Sequence, residues 1–196
     1  PLAHLAHGVL GGLGDGDGQG AVLEGEGGFE RGNFERRVGY VMKLDIACGN
    51  HKDLGYTGMD IQRLEGVDVV HDLNVHPWPV ESGSVEAAKA WHIVEHIPPV
   101  CVTETGTRRP FLEFMDECWR VMKVGARLDI ETPYGASAGF FHDPTHCNPC
   151  DEVTFEHFDP DYRRYLTYRP KPWRIVNLHW TSDGNVNVVL EKRAEE

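Results

Sequence analysis

The spacing of apolar residues after Met42 constrains the fold of this chain more than any other feature. Short apolar runs at 43–47, 56–61, 67–71, 85–90 and 127–132 predict strands. Between the last two runs, apolar residues recur at helical spacing (Phe111, Met115, Cys118 and Met122), and Gly125 follows as an expected C-terminal stop. Strands that alternate with helical patterns are typical of an α/β chain with a mostly parallel sheet.

The C-terminal segment predicts a different connection. Residues 173–180 alternate between apolar and polar side chains, a polar turn follows at 182–185, and alternation resumes over 186–192. Two alternating runs joined by a short polar turn indicate an antiparallel hairpin. The sheet is therefore expected to end in such a hairpin at its edge.

Residues 1–41 are rich in glycine and have no sustained apolar period. Such a segment buries too little apolar surface to offset its ordering entropy. We interpret it as a disordered extension or as upstream sequence ahead of Met42, with a linker from a lost N-terminal domain as the alternative. Residues 42–196 form the predicted domain.

Composition narrows the class of protein and its partners. The formal net charge is −12, which argues against nucleic acid as a bulk partner. No run reaches the roughly 18 apolar residues of a membrane span, and the N-terminus lacks a secretory pattern, so we expect a cytoplasmic protein without membrane contacts. The 5 cysteines predict reduced thiols rather than a disulfide framework. The oligomeric state stays open.

Small or acidic residues follow the first three predicted strands in order. Ala47 and Gly49 allow a sharp bend and close approach to a ligand. Asp60 lies at the end of the second strand, where a carboxylate can accept both hydroxyl hydrogens of a ribose, and Asp72 comes at the end of the third. Each acid alone could be a helix cap or a solvated loop residue. Together the three features favour a nucleoside-type site.

The motifs together resemble class I S-adenosylmethionine-dependent methyltransferases of the small type 11 kind. They are LDIACGN at 44–50, GMDI at 58–61, VDVVHDLN at 67–74, VEAAKAWHIVEHI at 85–97 and WRVMKVGARLDIETP at 119–133. The resemblance implies a Rossmann-like methyltransferase fold. The sequence departs from the family at Ala47, where glycine is common, and only a short segment from Cys48 to Gly55 joins the first two strands. The first crossover helix is therefore expected to be reduced or absent.

The resemblance also implies S-adenosyl-L-methionine as cofactor and methyl transfer to an oxygen or nitrogen of a small-molecule acceptor. The implied cofactor-binding residues are Asp45, Ala47, Cys48, Gly49, Asp60, Ile61, Asp72, Leu73, Trp91 and His92. A loop with His142, Asp143, Thr145 and His146 is expected on the substrate side. We predict His92 as general base, with His146 second, because imidazole titrates near neutrality.

Two other functions compete with this hypothesis. One is a degenerate methyltransferase fold that binds the cofactor without turnover. The other is a zinc-dependent hydrolase, because His92, Glu95 and His96 match H-x-x-E-H. Its third ligand would come from His142, His146, Cys147 or Cys150, and the last two also have C-x-x-C spacing. We expect no bound metal, since the run before His92 predicts a strand.

Two further features have a plain structural interpretation. Five cations cluster near four aromatic residues and could receive an anionic substrate, although a solvated face is the preferred interpretation. They are Arg163, Arg164, Arg169, Lys171 and Arg174. Asp53 is predicted to be a loop acid that no strand end positions.

Overall fold

A computed structural model describes residues 41–165 and 169–195. The segment 1–41, which we interpret as a disordered extension or upstream sequence, lies outside the described residues except for Val41. The strands are β1 (Met42–Ile46), β2 (Thr57–Asp60), β3 (Val69–Val70), β4 (Val85–Trp91), β5 (Cys101–Thr103), β6 (Gly106–Arg108), β7 (Met122–Pro133), β8 (Trp173–Trp180) and β9 (Asn185–Lys192). The helices are α1 (Pro110–Val121), α2 (Ala138–Phe141), α3 (Glu152–Glu156) and a 3₁₀ turn at Val94–His96.

Seven strands form one sheet in the order β3-β2-β1-β4-β7-β9-β8. The first five strands of that order run parallel to one another, whereas β9 is antiparallel to both β7 and β8. The predicted parallel sheet and its terminal antiparallel hairpin are therefore confirmed. Strands β5 and β6 form a separate hairpin that the sequence pattern did not predict.

Helix α1 connects β4 to β7 and buries one face. Pro110 opens the helix, where its missing N–H costs no hydrogen bond. Phe111, Met115 and Cys118 are buried in the core, as the predicted periodicity requires. The predicted stop at Gly125 is wrong: the helix ends at Val121, because Met122 already pairs with Val85 in the sheet.

The connection from β1 to β2 contains no helix, which confirms the expected reduction of the first crossover. Instead, the amides of Ala47 and Cys48 donate to the carbonyl oxygen of Met59, at 2.7 and 3.3 Å. The predicted third strand shortens to Val69–Val70. No helix in the described ranges is long and apolar enough to cross a membrane.

Candidate functional site

The turn after β1 has an unusual backbone conformation at two positions. Ala47 has φ +57° and Gly49 has φ +53°. The left-handed region costs a residue with a Cβ about 1–2 kcal/mol, so the alanine is strained where glycine would not be. The amide of Gly49 donates to Asp60 Oδ2 at 2.9 Å. This turn therefore reaches the end of the neighbouring strand β2.

Asp60 is buried at the end of β2 and accepts one backbone amide on each oxygen. Gly49 N–H donates to Oδ2 and Gln62 N–H donates to Oδ1, both at 2.9 Å. A carboxylate has about four lone-pair sites, so each oxygen keeps acceptor capacity for a ligand hydroxyl. The residue after it, Ile61, has 61% of its surface exposed, which places an apolar surface beside the carboxylate.

Asp72 follows β3 and is only partly buried. Its Oδ1 accepts from both the backbone amide and the side-chain amide of Asn74, at 2.9 and 3.0 Å. Leu73 packs against the core and its carbonyl oxygen accepts from Trp78 Nε1. These bonds fix the turn that carries Asp72 at the same edge of the sheet as Asp60.

A buried ion pair that the motifs did not reveal lies between Asp45 and Lys89. Lys89 Nζ is 3.3 Å from Asp45 Oδ2 and 2.7 Å from Asp53 Oδ2. The amide of Asp53 also donates to Asp45 at 2.9 Å. Asp53 lies in a loop as predicted, but the prediction that no strand end positions it is wrong. The lysine within the predicted strand 85–90 was the available sequence signal.

Burial acts on both partners of this pair. It raises the pKa of Asp45, and the Asp53 amide and Lys89 only partly offset the rise. Burial alone lowers the pKa of Lys89, but its contacts with Asp53 and Asp45 outweigh it, so the pKa ends above its usual value. Burial, with the nearby Asp45, likewise raises the pKa of the Cys48 thiol to about 11. That thiol is therefore protonated at neutral pH.

Trp91 and His92 stand at the end of β4. The ring of Trp91 is partly exposed and lies under Lys89 Nζ, at 4.6 Å from its centroid. His92 has φ +54°, and its ring nitrogens lie 3.3 Å from Glu95 and 3.7 Å from Glu131. Contact with Glu95 raises the pKa of His92 although burial opposes it. The strand end predicted for His92 is confirmed.

The H-x-x-E-H segment does not have the structure that a helical zinc motif needs. Val94–His96 is a single 3₁₀ turn after a strand, not an α-helix. His92 faces Glu95 and Glu131, whereas His96 Nδ1 contacts Thr145 Oγ1 at 3.0 Å. An α-helix would place both histidines on one face; this turn does not, so the structure does not bring His92 and His96 together as a pair of zinc ligands.

The predicted substrate loop packs against this 3₁₀ turn. The amides of Cys147 and Asn148 donate to the carbonyl oxygen of Glu95, at 2.8 and 3.1 Å. His142 is exposed at the start of the loop. Cys150 is buried, and burial raises its pKa to about 12. The thiolate that zinc requires is thus disfavoured at Cys150.

The basic stretch is largely paired within the protein. Arg164 pairs with Glu156 at 2.7 Å, Lys171 pairs with Glu195, and Arg174 pairs with Glu191. These contacts favour the solvated-face interpretation over an anion-binding site.

Comparison with known proteins supports the fold. No protein-family model and no curated protein matches the sequence. A SAM-dependent methyltransferase from Archaeoglobus fulgidus matches with TM-score 0.56 and 18% identity, over 79% of this chain and 87% of that chain. A chain in the complex of the Haloferax volcanii Trm112 methyltransferase activator with a methyltransferase matches with TM-score 0.54 and 9% identity, over 80% and 84%.

The same fold also carries another activity. The [4+2]-cyclase SpnF matches with TM-score 0.53 and 14% identity, over 79% of this chain and 76% of that chain. Fold alone therefore does not define the reaction. At these identities, the comparisons show that this chain has the Rossmann-like fold shared by class I SAM-dependent methyltransferases, as the sequence resemblance predicts.

Proposed function

We propose that the protein transfers the methyl group of S-adenosyl-L-methionine to an oxygen or nitrogen of a small-molecule acceptor. The main support is Asp60, a buried carboxylate at the end of β2. Each of its two oxygens accepts a hydrogen bond from one backbone amide. Its remaining acceptor capacity suits the paired hydroxyl groups of a ribose. In parallel α/β sheets, ligands bind beyond the carboxyl ends of the strands, and Asp60 lies at that edge.

The residues at this edge fit the parts of the cofactor. Asp72 keeps one oxygen for which the described residues show no hydrogen bond, and it suits an exocyclic amino group. Ile61 offers an exposed apolar surface for a base. The tight turn at Ala47, Cys48 and Gly49 allows the methionine portion to approach the backbone. Asp45 is already engaged with Lys89 and Asp53, so we assign it to positioning the turn.

The cofactor would supply an activated methyl group on a sulfonium centre. The chain then has to align an acceptor and take up one proton, and alignment is a large part of such catalysis. His92 is the proposed base because it stands at the end of β4 beside partly exposed Trp91. Tyr134 and Trp180 lie with ring centroids 4.1 Å apart, near the end of β7. We assign that aromatic pair to the acceptor side.

We also propose a cytoplasmic location, supported by the cysteines. All five, Cys48, Cys101, Cys118, Cys147 and Cys150, are free thiols. Reduced thiols are usual in the cytosol and rarer in oxidising compartments.

The test of cofactor binding is calorimetric titration of Asp60 variants with S-adenosylhomocysteine. Charge-assisted hydrogen bonds contribute about 1.5–3 kcal/mol each, and about 1.4 kcal/mol corresponds to tenfold in affinity. Asp60→Ala should therefore weaken binding at least tenfold, and Asp60→Asn should be intermediate. Glu65→Gln, an exposed acid in the next connection, is the matched control and should bind like wild type.

Unchanged affinity in Asp60→Ala, with an intact circular dichroism spectrum, would contradict the nucleoside site. A second candidate function is cofactor binding without turnover, favoured by the contact with Glu95 that raises the pKa of His92, since a raised pKa enlarges the protonated fraction, which cannot accept a proton. Release of S-adenosylhomocysteine during incubation with a panel of phenols, amines and carboxylic acids distinguishes the two. Binding without release by any acceptor class would favour the second candidate.

A further inference from the structure

We propose that Glu95, His96 and His146 form a binding site for a divalent transition-metal ion of the zinc class. One ligand atom from each of the three residues lies within 4.8 Å of the others. The site joins the 3₁₀ turn after β4 to the loop 142–147, and it adjoins the proposed base, because Glu95 also contacts His92. Two histidines and one carboxylate are a known zinc ligand set that leaves one coordination position open.

The hydrogen bonds of His96 leave its Nε2 lone pair available. Thr145 Oγ1 donates its one hydrogen to Asp143 Oδ1, at 2.6 Å, because a carboxylate at neutral pH has no proton to give. The contact of 3.0 Å between Thr145 Oγ1 and His96 Nδ1 must then have the Nδ1–H as donor. The imidazole of His96 is therefore held in the tautomer whose Nε2 can bind a metal.

His146 is held in the same tautomer by a different group. Its Nδ1 lies 2.8 Å from the carbonyl oxygen of Phe140, which can only accept. Nδ1 must therefore carry the hydrogen, and Nε2 keeps its lone pair. The ring lies edge to face with His96, with centroids 4.6 Å apart. Orientation of a ligating histidine by a carbonyl or a carboxylate relay is the usual arrangement around bound zinc.

One oxygen of the buried Glu95 carboxylate accepts no hydrogen bond from the described residues. Its residue exposure is 1%, and Oε2 accepts from Thr132 Oγ1 at 3.1 Å. Oε1 is buried and has no hydrogen bond within the described part of the chain; it makes an ion-pair contact of 3.3 Å with His92 Nδ1. A buried carboxylate oxygen without a hydrogen bond is costly. A bound cation would compensate that charge.

The remaining groups around the site are compatible with a cation. Asp143 Oδ2 lies 3.9 Å from His146 Nε2 and adds negative charge. Ligand atoms around a tetrahedral zinc with bonds near 2.0–2.1 Å lie about 3.4 Å apart. Small side-chain rotations that draw the three residues together would therefore complete the site. In that state His146 is a metal ligand and not the second general base.

The experiment titrates the chelator-treated full chain with Zn²⁺ by calorimetry, and with Co²⁺ while its visible absorption is recorded. We expect one ion per chain and d–d bands typical of nitrogen and oxygen ligands. His96→Ala, His146→Ala and Glu95→Gln should each weaken Zn²⁺ binding at least tenfold. His142→Ala removes an exposed histidine from the same loop and should leave the affinity unchanged.

Thr145 tests the tautomer argument separately. Thr145→Val removes the acceptor of the His96 Nδ1–H and should weaken Zn²⁺ binding severalfold, whereas Thr145→Ser should retain it. Full-affinity binding by folded His96→Ala and His146→Ala would overturn the proposal. So would a Co²⁺ spectrum with intense thiolate charge-transfer bands that Cys147→Ser abolishes. Absence of binding in the micromolar range would also overturn it.

Discussion

The two halves of the sheet are built differently. The first half, β1 to β3, has strands of 5, 4 and 2 residues. The second half, β4, β7, β8 and β9, has strands of 7, 12, 8 and 8 residues. Helix α1 connects two strands of the second half, whereas the segment between β1 and β2 has no helix.

Different interactions stabilise these halves. In the second half, side chains such as Leu128, Ile130, Val188 and Leu190 are fully buried, and long antiparallel pairing joins β7 to β9. In the first half, aspartates bind the amides of the connections: Asp45 binds Asp53, Asp60 binds Gly49 and Gln62, and Asp68 binds Gly58. These carboxylates satisfy backbone groups that a helix would otherwise pair.

In the first half, the same residues contribute to stability and to the geometry of the proposed ligand site. Asp60 both fixes the turn after β1 and offers oxygens to a ligand. In the second half the buried apolar residues are separate from the polar edge. Substitutions in the second half should therefore act on global stability, and those in the first half on local order and binding.

The largest effect is expected in the second half. Phe114 on α1 is 1% exposed and packs against Trp78 with ring centroids 5.6 Å apart. Phe114→Ala should lower the free energy of unfolding by about 3–5 kcal/mol, because it removes buried area and leaves a cavity. Urea unfolding monitored by circular dichroism measures the change.

Phe141→Ala is the matched control, since that ring is 73% exposed. Its cost should stay within about 0.5 kcal/mol. Equal costs for the two substitutions would contradict the assignment of apolar packing as the main stabilising interaction of the second half.

The sequence predicted the second half well because periodic burial determines it. Alternation over 173–180 and 186–192 corresponds to β8 and β9, and the apolar spacing of α1 corresponds to its buried face. The predicted end of the helix at Gly125 was wrong, because Met122 already pairs in the sheet and the helix must end before it. Short elements such as β5, β6 and α3 have too few residues to show a period.

The site was only partly predictable, for a physical reason. Asp60 and His92 were predicted from strand ends, which sequence patterns reveal. Lys89 was missed because its partners, Asp45 and Asp53, lie far away in sequence. The contact of His96 with Thr145 spans 49 positions, so only the folded loop brings those two residues together.

A smaller change in the free energy of unfolding is expected at Lys89, on β4, where the second half of the sheet pairs with β1 of the first half. Lys89→Met leaves Asp45 buried without its cation, which typically costs 3–5 kcal/mol. The remaining bond from the Asp53 amide and protonation of Asp45 should reduce the cost to about 2–3 kcal/mol at pH 7. Urea unfolding at several pH values measures it.

The pH dependence of that cost follows from the raised pKa of Asp45. A carboxyl with a raised pKa in the folded state stabilises the fold below its ordinary pKa, and this stabilisation is lost as pH rises through the folded pKa. Lys89→Met raises that pKa further, so its penalty should shrink toward pH 5. Lys123→Met, which breaks an exposed pair with Glu86, should cost under about 1 kcal/mol. A pH-independent penalty for Lys89→Met would contradict the role of Asp45.

The smallest change in the free energy of unfolding is expected at Asp68. This residue lies in the connection between β2 and β3, and its side chain is hydrogen-bonded to β2. Asp68 Oδ2 accepts from Gly58 N–H and from Lys52 Nζ, both at 2.8 Å. Partial burial raises the pKa of Asp68, but the bonds from Lys52 and Gly58 outweigh it and hold the pKa below its usual value. Asp68→Asn should therefore lower the free energy of unfolding by about 1 kcal/mol at neutral pH, since the side chain is half exposed.

The sign of its pH dependence is opposite to that of Asp45. A lowered carboxyl pKa stabilises the fold above its ordinary value near 4, and that stabilisation is lost as pH falls through the folded pKa. The stability difference between wild type and Asp68→Asn should therefore be full at pH 6 and decline as pH falls below the ordinary pKa toward the lower folded pKa. Hydrogen exchange at Gly58, corrected for intrinsic rates, should rise in the variant while amides of β9 stay protected. Equal loss of protection in both strands would show that the first half does not open independently of the second.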